Sequence, residues 1–338
     1  MDALVTGATG FIGSHLVEHL VERGHQVRAL ALPGDDVSWL DALGVEVARG
    51  DIRQADAVQR AVAGCRHVYH LAGRTASQGG SRGLFEAINV GGTRNVAQAA
   101  LDAGVERMVQ CSTGGVYGFV TTGRIDERRP LRPNSPYRST KAAAEALVQA
   151  YRQRHGLPVV TARFASVIGA RATDWRGLFG AVERGGFQVI GPGENVLPLC
   201  PVGDLVTGLR LCAETPGVEG ETFLLAGREP ITLRRFLAAI AEALGVAPPV
   251  AHRPAAPFRL YCSLASAVYQ ATGREMPRAH GYALFLASGR YDLSKARQVL
   301  GYRPETPLAD AIQEAVGWYR RAPGPSLVVP SDPVEAPV

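Results

Sequence analysis

Short apolar runs alternate with helix-spaced apolar positions through the first half of the chain. The runs 3–6, 26–32, 45–49, 67–71, 107–111 and 159–164 have the length and composition of buried strands. Between them, the spacing of apolar residues predicts helices over 12–23, 55–63, 84–103 and 136–154. Strands that alternate with helices need crossover connections, so the expected class is α/β, a doubly wound parallel sheet with helices on both faces. Such sheets take ligands at the carboxyl ends of their strands, where the strand order reverses. The helix over 136–154 has a clear start and stop. Asn134 or Ser135 can cap it, Pro136 suits its first position, and Gly156 and Pro158 close it.

Beyond about residue 165 the pattern changes. Gly and Pro become frequent, as in Gly185-Gly186, Gly191-Pro192-Gly193, Pro198 and Pro201, and helices become short. The expected division is a sheet domain over 1–168 with a return segment near 200–213, a smaller lobe over 169–322, and a disordered tail over 323–338 rich in Pro. The apolar stretch 258–269 reads as a buried helix, or as one that faces a membrane or the substrate. No apolar run reaches 18 residues, so no membrane span is expected.

The turn after the first strand is Thr6-Gly7-Ala8-Thr9-Gly10-Phe11-Ile12-Gly13. Glycines at 7, 10 and 13 permit a tight turn, close approach of backbone to a pyrophosphate, and close helix–strand packing. The helix that follows offers unpaired N–H groups and a positive dipole end to phosphates. A dinucleotide site is therefore expected. The spacing is not that of a Walker A loop, and no Gly-Lys-Ser/Thr follows it. Ala31 and Leu32 end the second strand, where an acid would grip the adenosine ribose or an Arg a 2′-phosphate. Arg28 lies inside that strand. The cofactor is read as NAD(H) or NADP(H), with a lean to NAD.

Lys141 follows Tyr137 by four residues, which places both on one face of a helix. The chain has only two lysines, Lys141 and Lys295, against thirty-four arginines, and ten tyrosines. Chance would give roughly 0.06 such pairs. A compact ammonium beside a phenol favours the phenolate and makes tyrosine a usable acid/base.

Composition narrows the partners. Hydrophobic residues make up 46% and charged residues 20%, as in a globular protein. The net charge of +5 is mild and its arginines are spread along the chain, so no nucleic-acid partner is expected. The local run Arg124, Arg128, Arg129 and Arg132 reads as a solvated loop. Five cysteines, Cys65, Cys111, Cys200, Cys212 and Cys262, are widely spaced and odd in number. That pattern predicts reduced thiols and a cytoplasmic protein. A strand beginning at residue 3 leaves no room for a signal peptide. No histidine pair has metal-ligand spacing, so no metal is expected.

With these residues in hand, the chain resembles the extended short-chain dehydrogenase/reductase, or NAD-dependent epimerase/dehydratase, family from residue 1 to about 320. The likeness rests on the 6–13 loop, Gly50-Asp51-Ile52, His70-Leu71-Ala72-Gly73, Asn89-Val90-Gly91-Gly92-Thr93, Ser112-Thr113-Gly114-Gly115-Val116-Tyr117-Gly118, Tyr137 with Lys141, and Asp292-Leu293-Ser294-Lys295-Ala296-Arg297. The resemblance implies a Rossmann-type sheet with a smaller C-terminal substrate lobe. It implies Tyr137 as proton donor or acceptor, and Lys141 as the group that binds the nicotinamide ribose and lowers the tyrosine pKa. Thr113 would orient the substrate oxygen, with Ser112 as the alternative. Gly7, Thr9, Gly10, Phe11 and Ile12 would hold the pyrophosphate, Asp51 and Ile52 the adenine, and Leu71, Ala72 and Gly73 the ribose and phosphates. Asn89 would brace the strands beside the cofactor, and Phe164 and Val167 would flank the nicotinamide, with Ser112 also close to it. Arg74, Gly114, Ser166 and Leu197 would face the substrate.

The family's dehydratases carry an acidic pair directly after the threonine, whereas Gly114 and Gly115 stand here. Its sugar-nucleotide enzymes place an Arg where Leu197 stands, and Arg-Pro where Arg163-Phe164 stands. With the apolar second lobe, these departures are closest to the 3β-hydroxysteroid dehydrogenase and dihydroflavonol reductase branch. The expected activity is reversible alcohol–ketone oxidoreduction on a hydrophobic or cyclic small molecule. The alternatives are a nucleotide-sugar epimerase or ketoreductase, and a non-catalytic dinucleotide-binding scaffold or redox sensor. A homodimer is expected by resemblance, paired through helices 84–103 and 136–154.

Overall fold

The structure, a computed structural model, describes residues 1–276 and 278–321; the tail expected over 323–338 lies outside the described residues. Seven parallel strands form the central sheet: β1 (Ala3–Thr6), β2 (Val27–Ala31), β3 (Glu46–Arg49), β4 (His67–His70), β5 (Arg107–Thr113), β6 (Val159–Phe164) and β7 (Thr222–Leu225). Their spatial order is β7-β6-β5-β4-β1-β2-β3. From β1 the chain winds outward through β2 and β3. It then returns to set β4 on the other side of β1, with Thr6 opposite both Leu30 and His70. The order reverses between β1 and β4, so a crevice opens at their carboxyl ends.

Helices α1 (Phe11–Glu22), α2 (Ala55–Val62), α3 (Thr93–Asp102) and α4 (Pro136–His155) match the apolar spacing. One face of the sheet packs Val5, Ala29 and Val109 against Leu16, Val17 and Leu20 of α1. The other packs Leu4, Val68 and Met108 against Val58, Val62, Val96 and Val148. Fully buried aliphatic side chains such as these stabilise a fold by about 1.5–3 kcal/mol each. Two expectations differ in detail. The helix expected over 84–103 is π-wound across Glu86–Gly92 before it continues as α3. Strand β5 runs two residues past the expected end, which brings Ser112 and Thr113 into register with Arg163 and Phe164.

The second lobe has its own core, built from Trp175, Phe179 and Val182 of helix α5 (Arg176–Glu183) and its approach, Phe236 and Ile240 of α7 (Leu233–Leu244), and Ile312 and Val316 of α10 (Leu308–Arg321). Between α5 and α7, helix α6 (Val202–Glu214) returns to the sheet and packs Leu205 and Leu209 beside β5 and β6. The apolar stretch at 258–269 forms part of α8 (Ala255–Thr272), which packs against α9 (Ala279–Leu286). It is not the buried helix that its composition predicts. Only Cys262, Ala265 and Tyr269 are buried, while Leu260 and Leu264 are 72% and 53% exposed.

Candidate functional site

A cleft of about 540 Å³ lies at the carboxyl edge of the sheet, over the β1–β4 switch point. Gly7, Thr9, Gly10, Phe11 and Ile12 form its floor. Gly7 has φ +71°, and a Cβ there would come within 2.8 Å of the Ala72 nitrogen; a Cβ on Gly13 would overlap the Gly7 carbonyl oxygen. The turn is therefore closed to larger residues. Gly10 caps α1 without a side-chain hydrogen bond, and the first turn holds no acid. The helix N-terminus thus presents free N–H groups, and this cradle fits a dinucleotide pyrophosphate.

Asp51, Ile52, Leu71, Ala72, Gly73, Arg74, Ser112, Tyr137, Lys141 and Phe164 also line this cleft, as the sequence suggests. Asp51 is paired with Arg53 (2.6 Å), which holds its carboxyl below the usual range. Arg74 turns its guanidinium onto the carbonyls of Gln78 and Gly79 in its own loop. Asn89 does not line the cleft. Its Oδ1 accepts from the Arg74 backbone nitrogen (2.7 Å) and its Nδ2 donates to Thr140 Oγ1 of α4 (3.0 Å). It joins the π-wound turn to the helix that carries Tyr137. Val167, Ser166 and Leu197 also lie outside the cleft lining. Ser166 and Val167 pair with Leu199 and Cys200, and buried Leu197 belongs to the second lobe's core.

Behind the floor runs a buried hydrogen-bond chain. Thr93 spends its one hydroxyl proton on the Asn89 carbonyl, so it accepts from His70 Nε2. His70 Nδ1 then accepts from Thr6, whose oxygen accepts from the Ala72 nitrogen. Burial, aided by the Lys141 charge, depresses the His70 pKa to about 3, so the ring is neutral.

Ser135 caps α4 through the Arg138 nitrogen and delivers Tyr137 and Lys141 to the cleft. Thr113 accepts from the Gly115 nitrogen (3.1 Å), and its hydroxyl lies near enough to the Tyr137 phenol to favour the phenolate. The expected effect of Lys141 on Tyr137 does not appear. Burial first, then the charge of Asp174, pushes the phenol up to about 12; the cation that lowers it is Arg138. Lys141 Nζ instead donates to the Cys111 carbonyl (2.6 Å), and burial depresses its own pKa. A second buried group sits one turn further along α4. Glu145 takes a bidentate pair from Arg163 (Nη2 to Oε2 2.6 Å) and accepts from Ser112. Arg163 also donates to Tyr117 (3.0 Å), so its charge is held within the protein.

Sequence reasoning missed three residues. Asp35 lines the cleft beyond β2 and accepts from Thr9 Oγ1 (2.6 Å) and the Leu32 nitrogen (3.2 Å). An acid thus stands at the adenosine end, although none ends the strand. Arg28 faces away, onto Glu46 and the Ala61 carbonyl. Asp174 enters from the second lobe beside Tyr137. Tyr291 fills the space next to Gly114, where a Cβ would overlap its phenol oxygen.

Residues 3–226 match the NAD dependent epimerase/dehydratase family. The sterol demethylase protein B of Methylococcus capsulatus is 34% identical over 336 residues, covering 95% of this chain and 98% of that protein. A 4-hydroxy-2-methyl-3-oxo-4-farnesyl-3,4-dihydroquinoline-1-oxide ketoreductase of Stigmatella aurantiaca is 34% identical over 316 residues, covering 89% and 92%. Among solved structures, the DesIV double mutant, a dTDP-glucose 4,6-dehydratase from Streptomyces venezuelae with NAD and DAU bound, superposes with TM-score 0.74 at 30% identity, covering 95% and 97%.

Proposed function

The chain belongs to the NAD dependent epimerase/dehydratase family, and from that premise we propose that it interconverts a secondary alcohol and a ketone on a hydrophobic or cyclic small molecule. The observation that carries this reading is that Tyr137 and Lys141 line the same cleft as the glycine turn, with Thr113 near the phenol and a Gly114 that Tyr291 closes to any side chain. Bound NAD(H) would supply or accept the hydride. Gly7, Thr9, Gly10, Phe11, Ile12 and the Leu71–Gly73 turn would hold it. Thr113 would donate to the substrate oxygen and fix it against Tyr137. In reduction the Tyr137 phenol gives that oxygen its proton; in oxidation the phenolate takes it back.

Dehydration needs a carboxylate near the carbon that loses a proton, and the Gly114-Gly115 pair supplies none. A nucleotide diphosphate needs a free cation. Arg163 is bound to Glu145, Arg171 to Glu18, and Arg176 lies against Trp318 and Tyr319, while Arg235 is exposed on α7 and outside the cleft lining. These facts support the apolar branch, as do the two relatives whose names describe a sterol and a farnesylated ring. A nucleotide-sugar epimerase or ketoreductase is the second reading, favoured by the dTDP-glucose 4,6-dehydratase likeness. The five cysteines are free and buried, which supports a reducing, cytoplasmic setting, and the faces of α3 and α4 are the surfaces we assign to a homodimer.

The test is NADH oxidation with cyclic apolar ketones and, in parallel, calorimetry with dTDP and UDP. Turnover on a ring ketone that falls about 10²–10⁴-fold in Tyr137→Phe is expected. Tight nucleotide binding without ketone turnover would transfer the case to the sugar branch.

A further inference from the structure

The outward face of α8 is inverted relative to ordinary surface helices, which turn charge to water. With Cys262, Ala265 and Tyr269 inward, the residues opposite are Ala256, Leu260, Ser263, Leu264, Ala267 and Ala271, all exposed. The whole 18-residue helix carries one charged residue, Arg259, and that sits at the edge of this face. The stripe is about 22 Å long at 1.5 Å per residue. No helix among the described residues is long and apolar enough to cross a membrane.

The segment that carries the stripe is basic, and beside its end at Gly273 lies Arg82, paired with Glu86. From residue 246 to 290 the chain holds five arginines and a single acid, Glu275. Arg259, Arg274, Arg278 and Arg290 are exposed. Glu275 lines the crevice behind α8, next to Arg138, rather than the stripe. Exposed leucines in a basic surround suit a surface that is apolar beneath and anionic above, because buried apolar area and headgroup attraction then add.

We propose that α8 is an interfacial helix that lays Leu260 and Leu264 into an anionic phospholipid surface, with Arg259 and Arg274 among the headgroups. The inward face of the same helix bears on the reaction centre. Tyr269 Oη donates to Ser139 Oγ (3.0 Å), and Ser139 lies between Tyr137 and Lys141 on α4. A lipid surface against α8 therefore lies about one helix diameter, about 10 Å, from the helix that carries the phenol. The inference stands on exposure and charge and does not rest on the substrate reading above.

The test is co-sedimentation of the full chain with phosphatidylcholine vesicles, with and without phosphatidylglycerol. Binding to the anionic vesicles is expected, weakening as salt rises. Leu260→Asp with Leu264→Asp should lower the partition at least about tenfold while NADH binding is unchanged. Arg259→Glu, a single exposed charge, should weaken binding to anionic vesicles and leave thermal stability as it was. Equal partition of parent and double variant, or no binding by either, overturns the proposal. So does a sedimentation-equilibrium mass that halves in the double variant when the parent ignores vesicles, which would assign the face to a second copy of this chain.

Discussion

Tyr291 occupies the place a side chain on Gly114 would take: a Cβ added to Gly114 would overlap the phenol oxygen and crowd the ring carbon that bears it. Tyr291 comes from late in the chain, on a two-residue strand that pairs with Arg124–Ile125, and packs against the sheet core, so it reaches the active-site loop from far along the sequence. Burial pushes its phenol well above the usual range, and it remains protonated. The loop after Thr113 is thus shaped by a distant aromatic ring. Gly114→Ala forces that ring aside and is expected to lower stability by about 1–3 kcal/mol. Tyr291→Ala in the same chain should recover part of the loss, a coupling of about 0.5–3 kcal/mol. Urea unfolding of the two single variants and the double variant measures it; strictly additive losses would contradict the overlap.

The Asp35 carboxylate stands at the adenosine end of the cleft and is held by Thr9 and the Leu32 nitrogen. A carboxylate in that place accepts from a ribose 2′-hydroxyl and repels a 2′-phosphate. NADH should therefore bind more tightly than NADPH. Asp35→Asn removes the repulsion and should narrow the preference by about tenfold, worth about 1.4 kcal/mol. Fluorescence titration with both nucleotides reads the ratio. Equal affinities in the parent chain would remove the basis for NAD.

The sheet and the glycine turn were legible because local rules fix them: a four-residue apolar run, three spaced glycines and a Ser-Pro cap each point to one geometry. Asp35 was not legible. It follows β2 by four residues, in a loop whose path no periodicity describes, and only the fold brings it to Thr9. The direction of Lys141 was hidden for a related reason. Spacing puts it on the face of Tyr137, but the Cys111 carbonyl at the end of β5 competes for its ammonium. Helix α8 failed in the opposite sense. Apolar composition says that a helix prefers to leave water, and it does not say whether protein covers it.

His70 gives the fold an acid limit. Its ring is neutral in the folded chain, with a pKa of about 3 against 6.5 for the free side chain. Above pH 6.5 neither state is protonated there and the full stability is present. Below it the unfolded chain takes up a proton that the folded chain refuses, so stability falls with pH by about 1.4 kcal/mol per unit. His15, His19 and His67 are depressed in the same sense and add to the slope. His70→Gln should make the decline shallower on the acid side of 6.5. Urea midpoints across that range for parent and variant are the measurement, and parallel curves would show that His70 is protonated in the folded state.

Arg138 lies directly after Tyr137 and is the cation that favours its phenolate; burial and Asp174 act the other way. Oxidation of an alcohol requires the phenolate, so its rate rises with pH toward the tyrosine pKa. Removing a neighbouring positive charge disfavours the phenolate and raises that pKa. Arg138→Met should therefore move the rising limb of kcat/KM for oxidation to higher pH, by about one unit for each 1.4 kcal/mol of lost attraction. Reduction uses the protonated phenol and should be affected less at neutral pH. Paired pH profiles in the two directions distinguish this from simple loss of structure, because a damaged fold lowers both limbs without displacing either. An unshifted oxidation profile would leave Lys141, turned from Cys111 toward the phenol once substrate and cofactor are bound, as the charge that sets the acid/base step.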